Sequence, residues 1–508
     1  MTMHSRRKFL QLAGTAAISA SLACSGVKKR FRNVVMIIGD DHSARVLGCY
    51  GNELIRTPNL DRMASRGVRF THAYANAPVC SASRQSLLTG RYPHAAGVTL
   101  LSTPFPEEQI TVAEHLNQFG FATGYVGKMH FNNDGDHGFA DNFSIKDMRS
   151  YRKEHPAQQI DGDISVRPPW RPFRDPARIW LNADMLPGSY YDKDSDGTIY
   201  AKKAIDFINK NRHVRFCLWL GFQEPHSPFN FPIEYVGKYD PQKMPLPEGS
   251  AQDDRWVPDV FRTLSKEERR GIIASYYTSV EYLDKNIGLV LNELDRLGLT
   301  EKTLVLYIGD HGYLLNDHKR FEKHMMWEPA IGAPLIIQGG DRFKSRRSDV
   351  LCEFIDLAPT IMEALGVEQM KTHQGASLLP ILTGRSTRHK EYVFAEFLVD
   401  NKAMIRTEEW KYIFTTGKND LGQGYATGFG PPGIVHRLYN VVQDPDEEKD
   451  VSAAPENRAI LQKLQKMMID HFVQTDPRAP RLPAGLSVDE TLAWFCEPPE
   501  GEERIENH

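Results

Sequence analysis

Cys80 opens the run Cys80-Ser81-Ala82-Ser83-Arg84-Gln85-Ser86-Leu87-Leu88-Thr89-Gly90. A lone cysteine before a helix is ordinarily a small buried hydrophobe, but here it leads small polar residues, an arginine and an apolar turn. Two acidic pairs lie elsewhere in the chain. Asp40-Asp41 directly follows the β-branched run Asn33 to Ile38, and Asp310-His311 directly follows Thr303 to Ile308. Ligands of open α/β sheets bind beyond the carboxyl ends of strands, so both pairs can meet at one edge. Three carboxylates and a histidine gathered there repel one another unless a cation joins them. Oxygen-rich ligation suits a hard divalent ion, Ca²⁺ or Mg²⁺. The competing reading is that acidic residues at strand ends cap the helices that follow. Lys128-Met129-His130, Pro225-His226-Ser227-Pro228 and Lys323 also fall just past predicted strands, on the same edge.

The elements that must position these residues alternate. Asn33–Ile38, Phe121–Val126, Phe216–Phe222 and Thr303–Ile308 read as strands buried on both faces, as in a parallel sheet. Between them come helical stretches: Pro58 to Arg66 with Thr57 as cap and Gly67 as stop, a capping box from Thr111 to Glu114 with Gly120 as stop, and the period of Ala201 to Ile208. A second capping box, Ser265 to Glu268, opens a long helix reaching about Leu297. The fold expected is a doubly wound mixed α/β sheet flanked by helices. Past Arg385 to Lys390 the segments shorten and alternate (Tyr392–Phe397, Ala403–Arg406, Trp410–Phe414, Leu438–Asn440), and a helix runs from Pro455 to about Phe472. The division expected is 1–30 as export signal and linker, 31–385 as catalytic α/β domain and 386–508 as a smaller α+β subdomain.

With 508 residues, 41% hydrophobic and 25% charged, the chain has the composition of a globular protein with more than one core. A net charge of −3 argues against a nucleic-acid binder, which needs a basic surface. Six cysteines without a C-x-x-C exclude a zinc ribbon and a disulfide-dense scaffold, and leave open one disulfide outside the apolar run around Cys217. Ser5-Arg6-Arg7-Lys8-Phe9-Leu10 and the weakly apolar stretch to Ala23 read as an export signal of twin-arginine type, which places the mature protein in the periplasm or outside the cell. Cys24 adds a second reading, a lipid anchor, which would be its one link to a membrane.

The run from Cys80 resembles the activation signature of type I sulfatases, C-x-[PA]-S-R-x-x-x-L-T-G. Tyr125 to His130 is similar to that family's G-K-x-H motif and Pro225 to Pro228 to its P-H-x-P, while Lys323 falls where the family has a second substrate-binding lysine. The resemblance covers most of Asn33 to Leu382. It implies an alkaline-phosphatase-like fold and oxidation of Cys80 to formylglycine, whose hydrate attacks sulfur. It implies a metal held by Asp40, Asp41, Asp310, His311 and an oxygen at position 80. Arg84 would stabilise the hydrated aldehyde, while Lys128, His130, His226 and Lys323 would bind sulfate oxygens and manage protons. Ala82 stands where the signature usually has proline, which in the family goes with the radical, oxygen-independent maturase. His311 stands where many members have asparagine. The function implied is hydrolysis of a sulfate ester on a polysaccharide or oligosaccharide. Phosphonate or phosphate monoester hydrolysis and a small, choline-type sulfate ester are the alternatives. Substrate contacts are expected from the insert 134–191, through Arg167, Trp170, Arg171, Arg174 and Trp180, and from the loop Gly422 to Gly433.

Overall fold

The β-branched runs form the centre of the fold because their side chains are buried on both sides. In the computed structural model, which describes residues 30–169, 177–417 and 433–499, Val34, Met36 and Ile38 of strand β1 (Asn33–Gly39) enter one core and Val35 and Ile37 the opposite one. The other strands of this sheet are β2 (Gly67–Tyr74), β3 (Ala122–Gly127), β4 (Asp141–Ser144), β5 (Phe216–Gly221), β6 (Thr303–Gly309), β7 (Leu335–Gln338) and β8 (Arg346–Glu353). Their order is β4-β3-β5-β1-β6-β7-β2-β8, and β7 alone runs antiparallel to its neighbours β6 and β2. The helices Asp196–Asn211 and Lys266–Arg296 pack on one face. Those from Cys80 to Thr89, Val112 to Asn117 and Leu357 to Leu365 pack on the other. This is the doubly wound mixed sheet that the alternation predicts.

Both capping boxes form. Thr111 and Ser265 accept the backbone N–H of Glu114 and Glu268, and the two glutamates bond back to the cap N–H. The Thr57 cap and the Gly67 stop do not. The Thr57 hydroxyl faces Asp61 and the Gly48 N–H, the helix ends at Ser65, and Gly67 is the first residue of β2. A Cβ at Gly67 would run into the Ile337 carbonyl of β7, so sheet pairing rather than helix termination requires glycine there.

The central parallel strands share an ending. β1, β3, β5 and β6 each finish in glycine, and their registers align Gly39 with Gly309 and Gly127 with Gly221. At Gly221 a Cβ would collide with the Lys128 carbonyl oxygen, and Gly127 has φ +88. The rim of the sheet is therefore bare of side chains, and the residues after it fold inward over the strand ends.

A second sheet, β9 (Tyr392–Phe397), β10 (Lys402–Thr407), β11 (Trp410–Thr415) and β12 (Val435–Asn440), is antiparallel in the order β12-β11-β10-β9. Its outer face (Phe394, Ile405, Tyr412, Phe414, Leu438) packs on helices Arg458–Thr475 and Val488–Phe495. Its inner face carries cations toward the first sheet. Lys402 pairs with Asp400 at 2.6 Å, and Arg406 and Lys411 both reach Glu328 at 3.1 Å. Lys411 also pairs with Glu447 at 2.9 Å, and Arg437 lies between the rings of Trp256 and Trp327. All five described cysteines are free, and among the described residues no helix is long and apolar enough to cross a membrane. The export segment with Cys24, residues Trp170, Arg171 and Arg174, and all of the 422–433 loop except Gly433 lie outside the described residues.

Lys411 is fully buried, so its loss leaves Glu328 and Glu447 short of a counter-charge in a dry interface. Lys411→Met is expected to lower stability by about 3–5 kcal/mol, measured as a fall in the urea midpoint at unchanged slope. An unchanged midpoint would contradict this account of how the second sheet is held.

Candidate active site

The Cys80–Thr89 helix is buried along its whole length and sits across the ends of β1, β3 and β6. Cys80 is its first residue, where the free N–H groups and the helix dipole favour negative charge. Its next residues tie the strand-end loops together. Ser83 donates through Oγ to the Asp310 carbonyl, and Gln85 donates to the carbonyls of Met129 (3.2 Å) and His130 (2.9 Å). Arg84 donates from Nε to Asp310 Oδ2 at 2.9 Å and from Nη1 to the Lys128 carbonyl at 2.7 Å, with Nη2 3.4 Å from Asp40 Oδ1. At its far end Gly90 takes a left-handed φ of +67 and accepts no side chain, since a Cβ would press on Ala358 and His373.

The ten catalytic and metal-ligating candidates expected from the sequence come to this one edge. Asp40, Asp41 and Asp310 each offer an oxygen within 4.8 Å of the others, and Asp41, Cys80 and His311 do the same, as do Asp40, Cys80 and His226. The Asp41 N–H donates to Asp310 Oδ1 at 2.9 Å. His311 Nε2 lies 3.4 Å from Cys80 Sγ and 3.3 Å from Asp41 Oδ1, its Nδ1 facing the Gly312 carbonyl at 2.9 Å. Lys323 Nζ donates to Asp41 Oδ1 at 2.7 Å and to Cys80 Sγ at 3.2 Å. Lys128 is ion-paired with Asp40 Oδ2. His226 Nε2 stands 3.7 Å from Asp41 Oδ2. His130, with φ +65, adjoins Cys80 and has no hydrogen-bond partner on its buried Nδ1.

The charges are unequal in a way the packing explains. Burial and the neighbouring Asp40 push Asp310 up to about 7, although His311 and Arg84 oppose the rise. Burial also works against ionisation of Asp40, yet Lys128, His226 and Arg84 hold it below the usual carboxylate range. His311 is raised to about 9: burial lowers it, but Asp310, Cys80 and Asp41 outweigh burial. The Cys80 thiol is likewise disfavoured as an anion by burial, and Lys128, Lys323 and His311 bring it well below the ordinary thiol value. Position 80 is thus a place where negative charge is stabilised.

Several positioning groups are not evident from the sequence. Tyr276, on the long helix, accepts the Ser43 N–H at 2.8 Å and donates to the Asp41 carbonyl at 2.5 Å, fixing the turn after β1. Glu224 is buried with one unpartnered oxygen, burial raises it to about 8, and its carbonyl accepts the Asp40 N–H. Tyr276 follows no strand end; Glu224 lies three residues past β5, beside the Pro225–Pro228 motif, and Ser83 and Gln85 are contiguous with Arg84, so position could have pointed to these three. In the 134–191 insert, Arg167 and Trp180 are buried. Arg167 donates to the Leu186 carbonyl and so ties the insert to itself.

The sequence profile of the sulfatase family matches residues 32–367, and that of the N-sulphoglucosamine sulphohydrolase C-terminal region matches residues 316–474. The chain belongs to the sulfatase family and is a sulfuric ester hydrolase. It is 24% identical to an N-acetylglucosamine-6-O-sulfatase of Bacteroides thetaiotaomicron, over 89% of this chain and 88% of that one. Among solved structures it is similar to a phosphonate monoester hydrolase from Silicibacter pomeroyi (TM-score 0.73, 22% identity, 89% of this chain and 97% of the other). It is also similar to a structure in complex with its substrate D-glucosamine-2-N,6-O-disulfate (TM-score 0.69, 21% identity, 89% and 99%). At these identities the two structures establish the fold.

Asp310 bonds to the Asp41 backbone and to Arg84 at once. Asp310→Ala is expected to cut turnover of an aryl sulfate by at least about 100-fold while the far-ultraviolet circular dichroism stays native. Activity within a few-fold of the parent would remove Asp310 from the site.

Proposed function

We propose that this protein removes sulfate from a sugar of a sulfated polysaccharide or oligosaccharide, using a formylglycine made from Cys80 and one divalent cation. The observation that carries the reading is the surroundings of position 80. A small side chain at a buried helix N-terminus is reached by Lys323 at 3.2 Å and His311 at 3.4 Å, with three carboxylates beside it. The residues fit a cation. Asp40 Oδ1 and Asp41 Oδ2 are buried oxygens without a hydrogen-bond partner, adjacent to Asp310 and His311. Asp40, Asp41, Asp310 and His311 would hold it together with an oxygen at position 80, and Ca²⁺ or Mg²⁺ suits such a donor set. When present, the aldehyde hydrate supplies the attacking hydroxyl and the cation supplies Lewis-acid polarisation of the oxygens it holds.

The chain's own residues divide the remaining work. Lys128 and Lys323 face the position from two sides and balance the charge of sulfate oxygens. His226 and His130 serve proton transfer, one giving a proton to the leaving oxygen and the other removing the second hydroxyl's proton so that sulfate is expelled. Arg84, bonded to Asp310 and to the Lys128 carbonyl, keeps Lys128 in register with position 80 and would stabilise the hydrated aldehyde there. The sugar substrate is supported by the kinship with an N-acetylglucosamine-6-O-sulfatase and by the fold shared with a protein whose substrate is D-glucosamine-2-N,6-O-disulfate. Hydrolysis of phosphonate or phosphate monoesters is the second reading, supported by the likeness to a phosphonate monoester hydrolase. A small, choline-type ester is the third. The same reading keeps 31–385 as the catalytic unit and 386–508 as the subdomain that shapes the pocket. It makes the first 30 residues an export signal and linker, with lipid attachment at Cys24 as the alternative, and makes the radical maturase the partner that modifies Cys80.

Co-expression with a formylglycine maturase is expected to yield a tryptic peptide carrying an aldehyde at position 80, read by mass spectrometry. The protein should then turn over 4-nitrophenyl sulfate faster than 4-nitrophenyl phosphate or phenyl phosphonate. Chelation should abolish turnover, and one equivalent of Ca²⁺ or Mg²⁺ should restore it. Full activity with an unmodified thiol at position 80 would refute the mechanism, and preference for the phosphorus esters would favour the second reading.

A further inference from the structure

The residue next to Lys323 has a conformation that calls for explanation. His324 holds φ +56, a left-handed backbone that costs a non-glycine residue free energy unless the surroundings fix it. They do so on two sides. Its backbone N–H donates to the Pro78 carbonyl at 3.3 Å, two residues before Cys80. Its ring lies flat on Phe397, the last residue of β9, with centroids 5.1 Å apart and planes 6° from parallel. Phe397 is buried, and Lys402 lies over its ring at 5.8 Å.

The imidazole is thus gripped by its face, while its edge stays uncommitted. Among the described residues neither ring nitrogen makes a hydrogen bond. The nearest carboxylate oxygen, Glu322 Oε2, is 3.9 Å from Nδ1, and the side chain keeps 15% of its surface exposed in an otherwise closed neighbourhood. Burial first, and then the cations Lys323 and His311, hold the ring neutral. A neutral imidazole offers one donor and one acceptor. The adjacent Lys323 touches Sγ at position 80, so the His324 edge is one residue outward from the sulfur-reacting centre.

We infer that His324 is a specificity residue whose free ring edge, set by stacking on Phe397, hydrogen-bonds a sugar hydroxyl close to the scissile sulfate. This rests on the sulfate-ester reading above and names the part of the substrate that His324 reads. A hydroxyl fits better than a carboxylate. An anion would call for a free cation, and the cation behind Phe397, Lys402, is committed to Asp400 at 2.6 Å. An aryl sulfate has no such hydroxyl, so the two substrate types separate the role of His324 from the chemistry itself. A site built to pair a hydroxyl discriminates strongly against analogues that lack it.

The test uses the matured full chain. N-acetylglucosamine 6-sulfate, N-acetylgalactosamine 6-sulfate and a 2-O-sulfated hexuronate disaccharide are assayed beside 4-methylumbelliferyl sulfate. His324→Phe keeps an aromatic ring for Phe397 and loses both nitrogens, whereas His324→Gln keeps a donor and an acceptor. For the sugar that the parent hydrolyses best, kcat/KM of His324→Phe is expected to fall at least about ten-fold further than for the aryl sulfate, mainly through KM. His324→Gln should recover part of that gap. Equal losses on both substrates, or recovery by Phe rather than Gln, would show a packing role only and overturn the inference. Turnover of the aryl sulfate with none of the sugars would also overturn it. A parent that hydrolyses no sulfate ester at all would instead overturn the function on which the inference rests.

Discussion

Three buried carboxylates packed against one another are the constraint around which the active edge is arranged. Asp40, Asp41 and Asp310 are all buried and within 4.8 Å of each other at the level of single oxygens. Left alone, such a group takes up protons, and the rise of Asp310 to about 7 is the residue of that tendency. The fold opposes it with Arg84 between Asp310 and Asp40, Lys128 on Asp40, and Lys323 on Asp41. Even so, two carboxylate oxygens, Asp40 Oδ1 and Asp41 Oδ2, are left without a hydrogen bond. The cations that neutralise the carboxylates also surround position 80, so one electrostatic arrangement both holds the carboxylates and prepares the site for an anionic ester.

Placing those charges requires several strand ends to be fixed to within a hydrogen bond. The bare glycine rim lets the loops fold inward, and the Cys80 helix then locks them. Ser83, Arg84 and Gln85 bond to backbone or carboxylate groups after β6 and β3. The signature beginning at Cys80 is therefore also a structural element. The arginine and the residues on either side of it set the distance between Lys128 and Asp310, while the glycine at its end allows the helix to stop against Ala358.

The parts of this arrangement that the sequence reveals are those in which burial is two-sided. β1, β5 and β6 appear as apolar runs because both faces are covered, β3 is interrupted by Thr123 and Gly124, and each of the four ends in glycine followed within a few residues by a charged or histidine side chain. β2, β7 and β8 are not evident. β2 mixes Arg69 and His72 into its pattern, β7 has four residues, and β8 is an edge strand opening with Arg346 and Arg347. The inner face of the second sheet is concealed for a different reason. Lys402, Arg406, Lys411 and Arg437 alternate with apolar residues exactly as a solvated face would, yet all four are buried. Glu328, which pairs with Arg406 and Lys411, and Trp256 and Trp327, which flank Arg437, lie far away in sequence, so no local pattern predicts the burial of those three. Most of the residues gathered at this edge are legible because they adjoin a strand end or a motif; Lys323, fourteen residues past the end of β6, is legible only through the family resemblance. Tyr276 reaches the same edge only through tertiary packing of the long helix, whereas Glu224 lies three residues past β5 and shows no signal of its own there.

This buried basic face also determines what the second sheet can contribute. An interface held by ion pairs in a dry environment is costly to separate, because opening it exposes each charge without its partner before water can compensate. Arg406 and Lys411 converge on Glu328, five residues beyond Lys323 on the segment that carries the lysine to the reacting centre. One strand further, Phe397 supports His324 on the same segment. The second sheet therefore supplies none of the groups gathered around position 80, but it braces the 323–328 stretch at both ends. A change of sequence on its inner face would be transmitted to the pocket through the orientation of that stretch, while the carboxylates and the Cys80 helix remain where the first sheet places them.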